Sequence, residues 1–169
     1  IRWAGPENKD DRQLELQADA MNRLGLELKK LKLQLAYHNH DIELRNAARE
    51  FHHMLAGTRP DCVHLCLDAH WVYRGAGNSA VALFDVVKLY GKRVCELHLR
   101  QSRGGVWSET MGAGDIDYPR LAQELEALGV KPHLVLEQAV ENGTPHPMDV
   151  VAANRATAQY VRRLFGQRA

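Results

Sequence analysis

The sequence contains no apolar run approaching the roughly 18–20 residues that a membrane span needs. It also lacks a strong charge of either sign. Its 22 Lys and Arg stand against 21 Asp and Glu, and the net charge of +1 is spread through helices and loops. That excludes the dense basic stripe on which phosphate-backbone binding depends. Cysteine is scarce: Cys62, Cys66 and Cys95 are an odd number, each in or beside an apolar stretch. They read as small core residues in a reducing compartment rather than a disulfide framework. No glycine fingerprint follows a first strand, and the glycines at Gly112 and Gly114 lack the Gly-Lys-Ser/Thr ending of a nucleotide loop. There is no internal repeat, linker or low-complexity stretch. The chain opens on Ile1-Arg2-Trp3-Ala4-Gly5-Pro6, without Met, and this reads like a strand end running into a loop. The natural N-terminus is therefore expected to lie upstream, so an export signal is not legible; a cytoplasmic location is the expectation.

What is present alternates. Leu14, Ala18, Met21, Leu24 and Leu28 have the three-and-four spacing of an amphipathic helix over residues 9–30. Lys32 to Tyr37 alternates like a strand, and a helix is expected from Glu43 to Ala56, stopped by Gly57 and Pro60. Val63–Leu67 reads as a short buried strand. Ser79 is an expected N-cap for a helix through Leu89 that Gly91 ends, and Val94–Leu99 is the next strand. After a glycine-rich loop, Asp117-Tyr118-Pro119 opens a helix that closes at Gly129. His133–Leu136 is a last strand and Met148–Phe165 a last helix. Strands separated by helices of roughly 10–20 residues imply parallel pairing through right-handed crossovers. Doubly wound sheets and (β/α)8 barrels both satisfy this pattern.

The strand ends carry the chemistry. In order they are His38-Asn39-His40, Asp68-Ala69-His70, His98-Leu99-Arg100 and Glu137-Gln138. Active sites of parallel β/α proteins form at the C-terminal ends of strands, and four successive strands place an ionisable group there. By the period of two, His38 shares a strand face with His40, Asp68 with His70, and His98 with Arg100. Two imidazoles (His38, His98) and two carboxylates (Asp68, Glu137) make a mixed nitrogen and oxygen donor set. It suits Mn²⁺, Co²⁺, Zn²⁺, Fe²⁺ or Mg²⁺ and lacks the thiolates of a structural zinc site. A cation would also relieve the cost of clustering acids away from water.

The segments Ala36-Tyr37-His38-Asn39-His40-Asp41, Leu67-Asp68, Leu97-His98-Leu99, Gly112-Ala113-Gly114-Asp115-Ile116-Asp117-Tyr118 and Leu136-Glu137-Gln138 together resemble the sugar phosphate isomerase/epimerase family of xylose isomerase-like (β/α)8 barrels. The resemblance covers nearly all of residues 1–169, as the C-terminal portion of one barrel domain, strands five to eight. It implies one divalent metal held by strand-six Asp68, strand-seven His98 and strand-eight Glu137. Strand five usually supplies a glutamate, and here that place holds His38. In the family's epimerases two glutamates on opposite faces of the substrate pass a proton through a metal-stabilised enediolate. The same architecture also hosts dehydratases, lyases and hydrolases of keto-sugars.

The resemblance therefore implies an isomerase or epimerase of a monosaccharide or sugar phosphate, with Glu137 as catalytic base and His38 as ligand or second base. Arg100 is a candidate for a substrate oxygen or phosphate. His40 and His70 are candidates for sugar hydroxyls, and Trp107 for closing over a sugar ring. Glu43 and Glu141 are expected to face water. His52, His53 and His64 are expected to be structural or solvent-facing, and His133 and His146 carry no assigned role. The fold's abasic-DNA endonucleases would want more metal ligands and a basic surface, which this chain lacks. Nucleic acid and membrane are thus not expected partners. A half-barrel would leave two open sheet edges and exposed core, so a homodimer that closes the barrel is an expected assembly, and an inactive fragment is the alternative.

Overall fold

The computed structural model describes residues 9–145 and 148–166. The strand end expected at Ile1–Pro6, and His146, lie outside the described residues. The first helix, α1 (Asp11–Lys30), begins on a capping box: Asp10 accepts from the Gln13 amide and the Gln13 side chain reaches back. Its Leu14 and Ala18 are buried against the core. The strand expected from Lys32 starts later, as β1 (Leu35–His38), because Lys32 sits in a left-handed turn (φ 59°) after the helix.

The expected helix from Glu43 is two pieces. A 3₁₀ turn, Ile42–Leu44, precedes α2 (Arg45–Ala56), and Asn46 to Ala48 have left-handed backbone, so the regular helix runs from Arg49. Strand β2 (Val63–Asp68) then passes directly into a helix that the sequence pattern did not reveal, α3 (Ala69–Gly75). This corrects the expected placement of His70. It lies on a helix, not on the strand face with Asp68.

Ser79 caps α4 (Ala80–Tyr90) through the Ala82 amide, as expected, and β3 (Val94–Leu99) follows. The glycine-rich loop is more ordered than its composition implied. It folds into a hairpin of β4 (Ser102–Arg103) and β5 (Val106–Trp107), with Gly104 and Gly105 at positive φ in the turn. Helix α5 (Tyr118–Ala127) is capped by Asp117 with Pro in its first turn, β6 spans His133–Leu136, and α6 spans Val150–Phe165.

The main sheet has the order β1-β2-β3-β6, all neighbours parallel. Strand order never reverses, so the described sheet has no topological switch point of the doubly wound kind. Its edges are β1 and β6. The two faces differ in chemistry. Val63, Leu65, Leu67, Leu97 and Leu99 pack towards the helices and are fully buried or nearly so. Alternation puts Ala36, His38, Cys66, Asp68, Glu96 and His98 on the other face. All but Asp68 line an open cavity of about 350 Å³. One face thus holds the fold together, and the other is free for chemistry.

Leu97, fully buried mid-sheet, is the test of the first role. Leu97→Ala is expected to cost roughly 2–5 kcal/mol in urea unfolding, the range for emptying a core leucine site. A loss below about 1 kcal/mol would mean that this helix-facing layer is not the core.

Candidate metal centre

Register brings the donors together. His38 lies level with Cys66, and Asp68 level with His98. The ladder runs one residue past β6, where the Glu137 amide donates to the Leu99 carbonyl at 3.1 Å. His38, Asp68, His98 and Glu137 each then offer a donor atom, and the four atoms lie within 4.8 Å of one another. His38 Nε2 is 3.2 Å from His98 Nδ1 and 4.0 Å from Asp68 Oδ2, and His98 Nδ1 is 3.0 Å from Glu137 Oε2. The structure therefore brings together all four residues that the strand ends nominated.

Asp68 shows how the local fold aims a ligand. As the last residue of β2 it is also the N-cap of α3, and its Oδ1 accepts the Trp71 amide at 2.8 Å. Asn39 braces its backbone in both directions, donating to the Asp68 carbonyl (3.1 Å) and accepting the Asp68 amide (3.0 Å). Oδ2 is left facing the cluster, buried and with no hydrogen-bond partner among the described residues. Burial pushes the Asp68 carboxyl up to about 7; the Trp71 amide and the Arg100 charge oppose this only in part. A buried carboxylate oxygen aimed at two imidazoles and a second carboxylate is a poor arrangement without a cation and a good one with it. The donor set fits a divalent ion.

The histidines are suited to ligation. Burial, followed by the neighbouring His98 and His40, lowers His38 to about 4, so its ring is neutral at neutral pH. His98 faces a carboxylate through each ring nitrogen: Glu137 at Nδ1, and Glu96 Oε1 at 3.2 Å from Nε2. Such an outer carboxylate fixes the orientation of a ligating imidazole. Glu96 was missed in the sequence, although its place two residues before His98 on the same face could have revealed it. Cys66 was missed as well. It is buried as expected, yet its thiol donates to Glu96 Oε1 at 3.2 Å and it lines the cavity rather than the helix-facing core.

Arg100 is 5% exposed and anchored to Glu137 twice, from Nε to the carbonyl (2.9 Å) and from Nη2 to Oε1 (3.2 Å). Burial raises Glu137, but the His98 hydrogen bond and the Arg100 charge outweigh it and hold the carboxyl below its ordinary value. The guanidinium lies between Trp107 (4.4 Å to the ring centre) and Trp71 (5.1 Å). Trp107 is thus held in a stack with Arg100 on it at one contact and Arg74 at another (4.8 Å).

His40 lines the cavity, and its ring centre is 4.7 Å from that of His38. His70 is fully buried, beside Trp71, Tyr73 and Trp107, with Nε2 3.0 Å from Ser102 Oγ. It does not line the cavity.

Two carboxylates expected only to face water are held by protein partners, Glu141 while staying partly exposed. Glu43 is buried and accepts the His40 amide at 2.7 Å. Glu141 pairs with Arg74 at 2.8 Å and accepts the Trp107 amide at 2.8 Å. The segment Gly112 to Asp117 serves the hairpin rather than a phosphate. Asp115 accepts from Ser102 Oγ (2.7 Å), Gly104 N (2.9 Å) and Gly105 N (2.8 Å). A Cβ at Gly114 would run into the Ser102 carbonyl and the Gln101 side chain, which is why glycine stands there.

Solved structures share this fold. A sugar phosphate isomerase/epimerase from Parabacteroides distasonis superposes with a TM-score of 0.71 at 19% identity, over 94% of this chain and 55% of that one. An L-ribulose 3-epimerase gives 0.70 at 15% identity, over 95% and 57%. A 3-keto-D-glucoside 4-epimerase from E. coli gives 0.65 at 14% identity, over 96% and 58%. The chain thus spans a little over half the length of each of these. Among curated proteins nothing matches it. A model of the xylose isomerase-like TIM barrel family matches residues 2–163, and the chain belongs to that family.

Proposed function

We propose that this chain carries the metal-binding half of a divalent-metal-dependent sugar isomerase or epimerase, acting on a monosaccharide or its phosphate. The observation that carries the reading is the buried Asp68 Oδ2, without a hydrogen-bond partner among the described residues, within a four-donor cluster at the strand ends. His38, Asp68, His98 and Glu137 would hold the ion; bound there, it would polarise a substrate carbonyl and stabilise the enediolate formed by loss of the adjacent C–H proton. Glu137, ionised at neutral pH, is the group that takes that proton. Arg100 fixes the Glu137 carboxylate and is positioned to meet a substrate oxygen. His40, on the cavity wall, and Trp107, in its arginine stack, are further substrate contacts, with the His70 ring packed edge-on against Trp107. The matched structures whose names specify epimerisation agree with this class of chemistry.

His38 favours a second reading on the same site. With an imidazole where the family's epimerases carry a glutamate, the return of the proton to the opposite face is replaced by general acid catalysis, and the outcome is loss of water or cleavage of a keto-sugar. The four strands correspond on this reading to strands five to eight of a barrel, and a homodimer would cover β1 and β6, the edges of the sheet among the described residues; light scattering of the chain reads that directly.

The test is incubation of the metal-loaded protein with keto-sugars in D₂O. Deuterium appearing next to the carbonyl with inversion is the expected result. Loss of water or chain cleavage would select the second reading. No exchange with any divalent ion would overturn both for this chain. Among the described residues no helix is long and apolar enough to cross a membrane.

A further inference from the structure

The inner sheet face holds a second donor set that the proposed site does not use. His38, Cys66 and His98 also offer donor atoms within 4.8 Å of one another. Bonds of 2.0–2.3 Å place the donors of a tetrahedral site roughly 3.3–3.8 Å apart, so small side-chain rotations close this triad on an ion. Cys66 stands level with His38 across β1 and β2, one pleat below Asp68 on β2. Its thiol, held above its ordinary value by burial and then by Glu96, hydrogen-bonds Glu96 Oε1, the same oxygen that His98 Nε2 meets at 3.2 Å. Glu96 therefore sits where it can take the thiol proton and keep His98 oriented.

The two donor sets share both histidines and differ in the rest. One completes them with the oxygens of Asp68 and Glu137, the other with a sulfur. Hard ions such as Mg²⁺ and Mn²⁺ favour the first, and thiophilic ions the second.

We propose that His38, Cys66 and His98 form an alternative site for a thiophilic divalent ion such as Cd²⁺ or Zn²⁺, seated lower on the sheet and mutually exclusive with an ion on Asp68 and Glu137. Binding breaks the Cys66 S–H bond and forms a metal–sulfur bond; the proton passes through Glu96 to solvent, with no change of oxidation state. An ion seated there removes His38 and His98 from the upper set, so the lower site is inhibitory. The inference uses the shared histidines but does not depend on the sugar chemistry, and it survives the failure of that reading.

Co²⁺ titration of the full chain, followed by absorbance, is the test, because a cobalt–thiolate bond gives a near-ultraviolet charge-transfer band. The band is expected in the wild type and in Asp68→Asn, and is expected to vanish in Cys66→Ser. If Cys66→Ser does not fold, the Cys62→Ser, Cys95→Ser double variant gives the assignment by elimination and must keep the band. Co²⁺ bound with d–d transitions but no charge-transfer band would overturn the thiolate site and leave the Asp68 and Glu137 set standing. A band that survives in Cys66→Ser, or that is lost from the double variant, would overturn it, as would no Co²⁺ binding at all.

Discussion

Asp68→Asn is expected to abolish binding of a hard divalent ion such as Mn²⁺ at the oxygen-bearing donor set while making the metal-free protein more stable at neutral and alkaline pH. The opposite signs come from the same atom. Asparagine's oxygen can still cap α3 through the Trp71 amide, so the helix keeps its start. What is lost is the charge on Oδ2, which is buried without a hydrogen-bond partner among the described residues. Removing it stabilises the metal-free fold by roughly 1–3 kcal/mol, the penalty of an unsatisfied buried polar group. That corresponds to roughly 2–4 °C in Tm for each kcal/mol at this chain length. Affinity for Mn²⁺ falls by more than the roughly 10–100-fold that follows loss of an outer partner, because a direct ligand is gone. Calorimetry of both proteins with and without Mn²⁺ reads the two effects together. A variant that still binds Mn²⁺ as tightly as the wild type would remove Asp68 from the site.

The pH dependence of the same experiment is fixed by two groups of opposite sign. Asp68 has a folded-state value raised to about 7 by burial, so its contribution to stability is full below the unfolded value of about 4 and is lost as pH rises through about 7. His38 is lowered to about 4, so its penalty is absent at neutral pH and grows as pH falls from about 6.5 through about 4. The metal-free wild type should therefore lose stability relative to Asp68→Asn between about pH 4 and 7, and the two curves should run parallel above that. Protons compete with the ion at both groups, so affinity falls as the solution is acidified.

The sequence disclosed the donor set more completely than the scaffold around it. His38, Asp68, His98 and Glu137 were legible because each follows an apolar strand, and parallel β/α topology puts such ends on one rim. Alternation within a strand was also expected to put each strand-end group on one face with the residue two places on. It failed at His70. There the chain turns helical immediately after Asp68, and no turn residue announces the change: Ala69 fits a strand or a helix equally well, and only the Asp68 cap decides it. The hairpin of β4 and β5 was hidden for a similar reason. Two-residue strands carry no periodicity, and their order comes from Asp115 reaching back thirteen residues to Ser102. Glu141 was invisible because its role rests on a partner distant in sequence, Arg74 being 67 residues away. Carboxylates near loops ordinarily face water, and only tertiary contacts show the exceptions.

Glu137→Gln, assayed at saturating metal because the same carboxylate is a proposed ligand, is expected to reduce kcat by roughly 10²–10⁴-fold, the usual effect of removing a positioned general base. The substitution is nearly isosteric, and the anchor to Arg100 survives in part, because Arg100 Nε donates to the Glu137 carbonyl rather than to its side chain. The substrate contacts proposed for Arg100 and Trp107 are thus expected to stay in place while the proposed proton acceptor is removed. The comparison that identifies the chemistry is with His38→Gln. If Glu137 takes the proton and His38 returns it to the opposite face, Glu137→Gln loses deuterium exchange from solvent altogether. His38→Gln would then keep exchange at the first face but lose inversion. If the reaction is instead elimination, His38→Gln slows departure of the leaving group while exchange persists or rises, because the intermediate returns to substrate more often than it proceeds. Measured exchange and product ratios for the two variants in D₂O separate these outcomes. Undiminished exchange in Glu137→Gln would show that the base lies elsewhere on the rim.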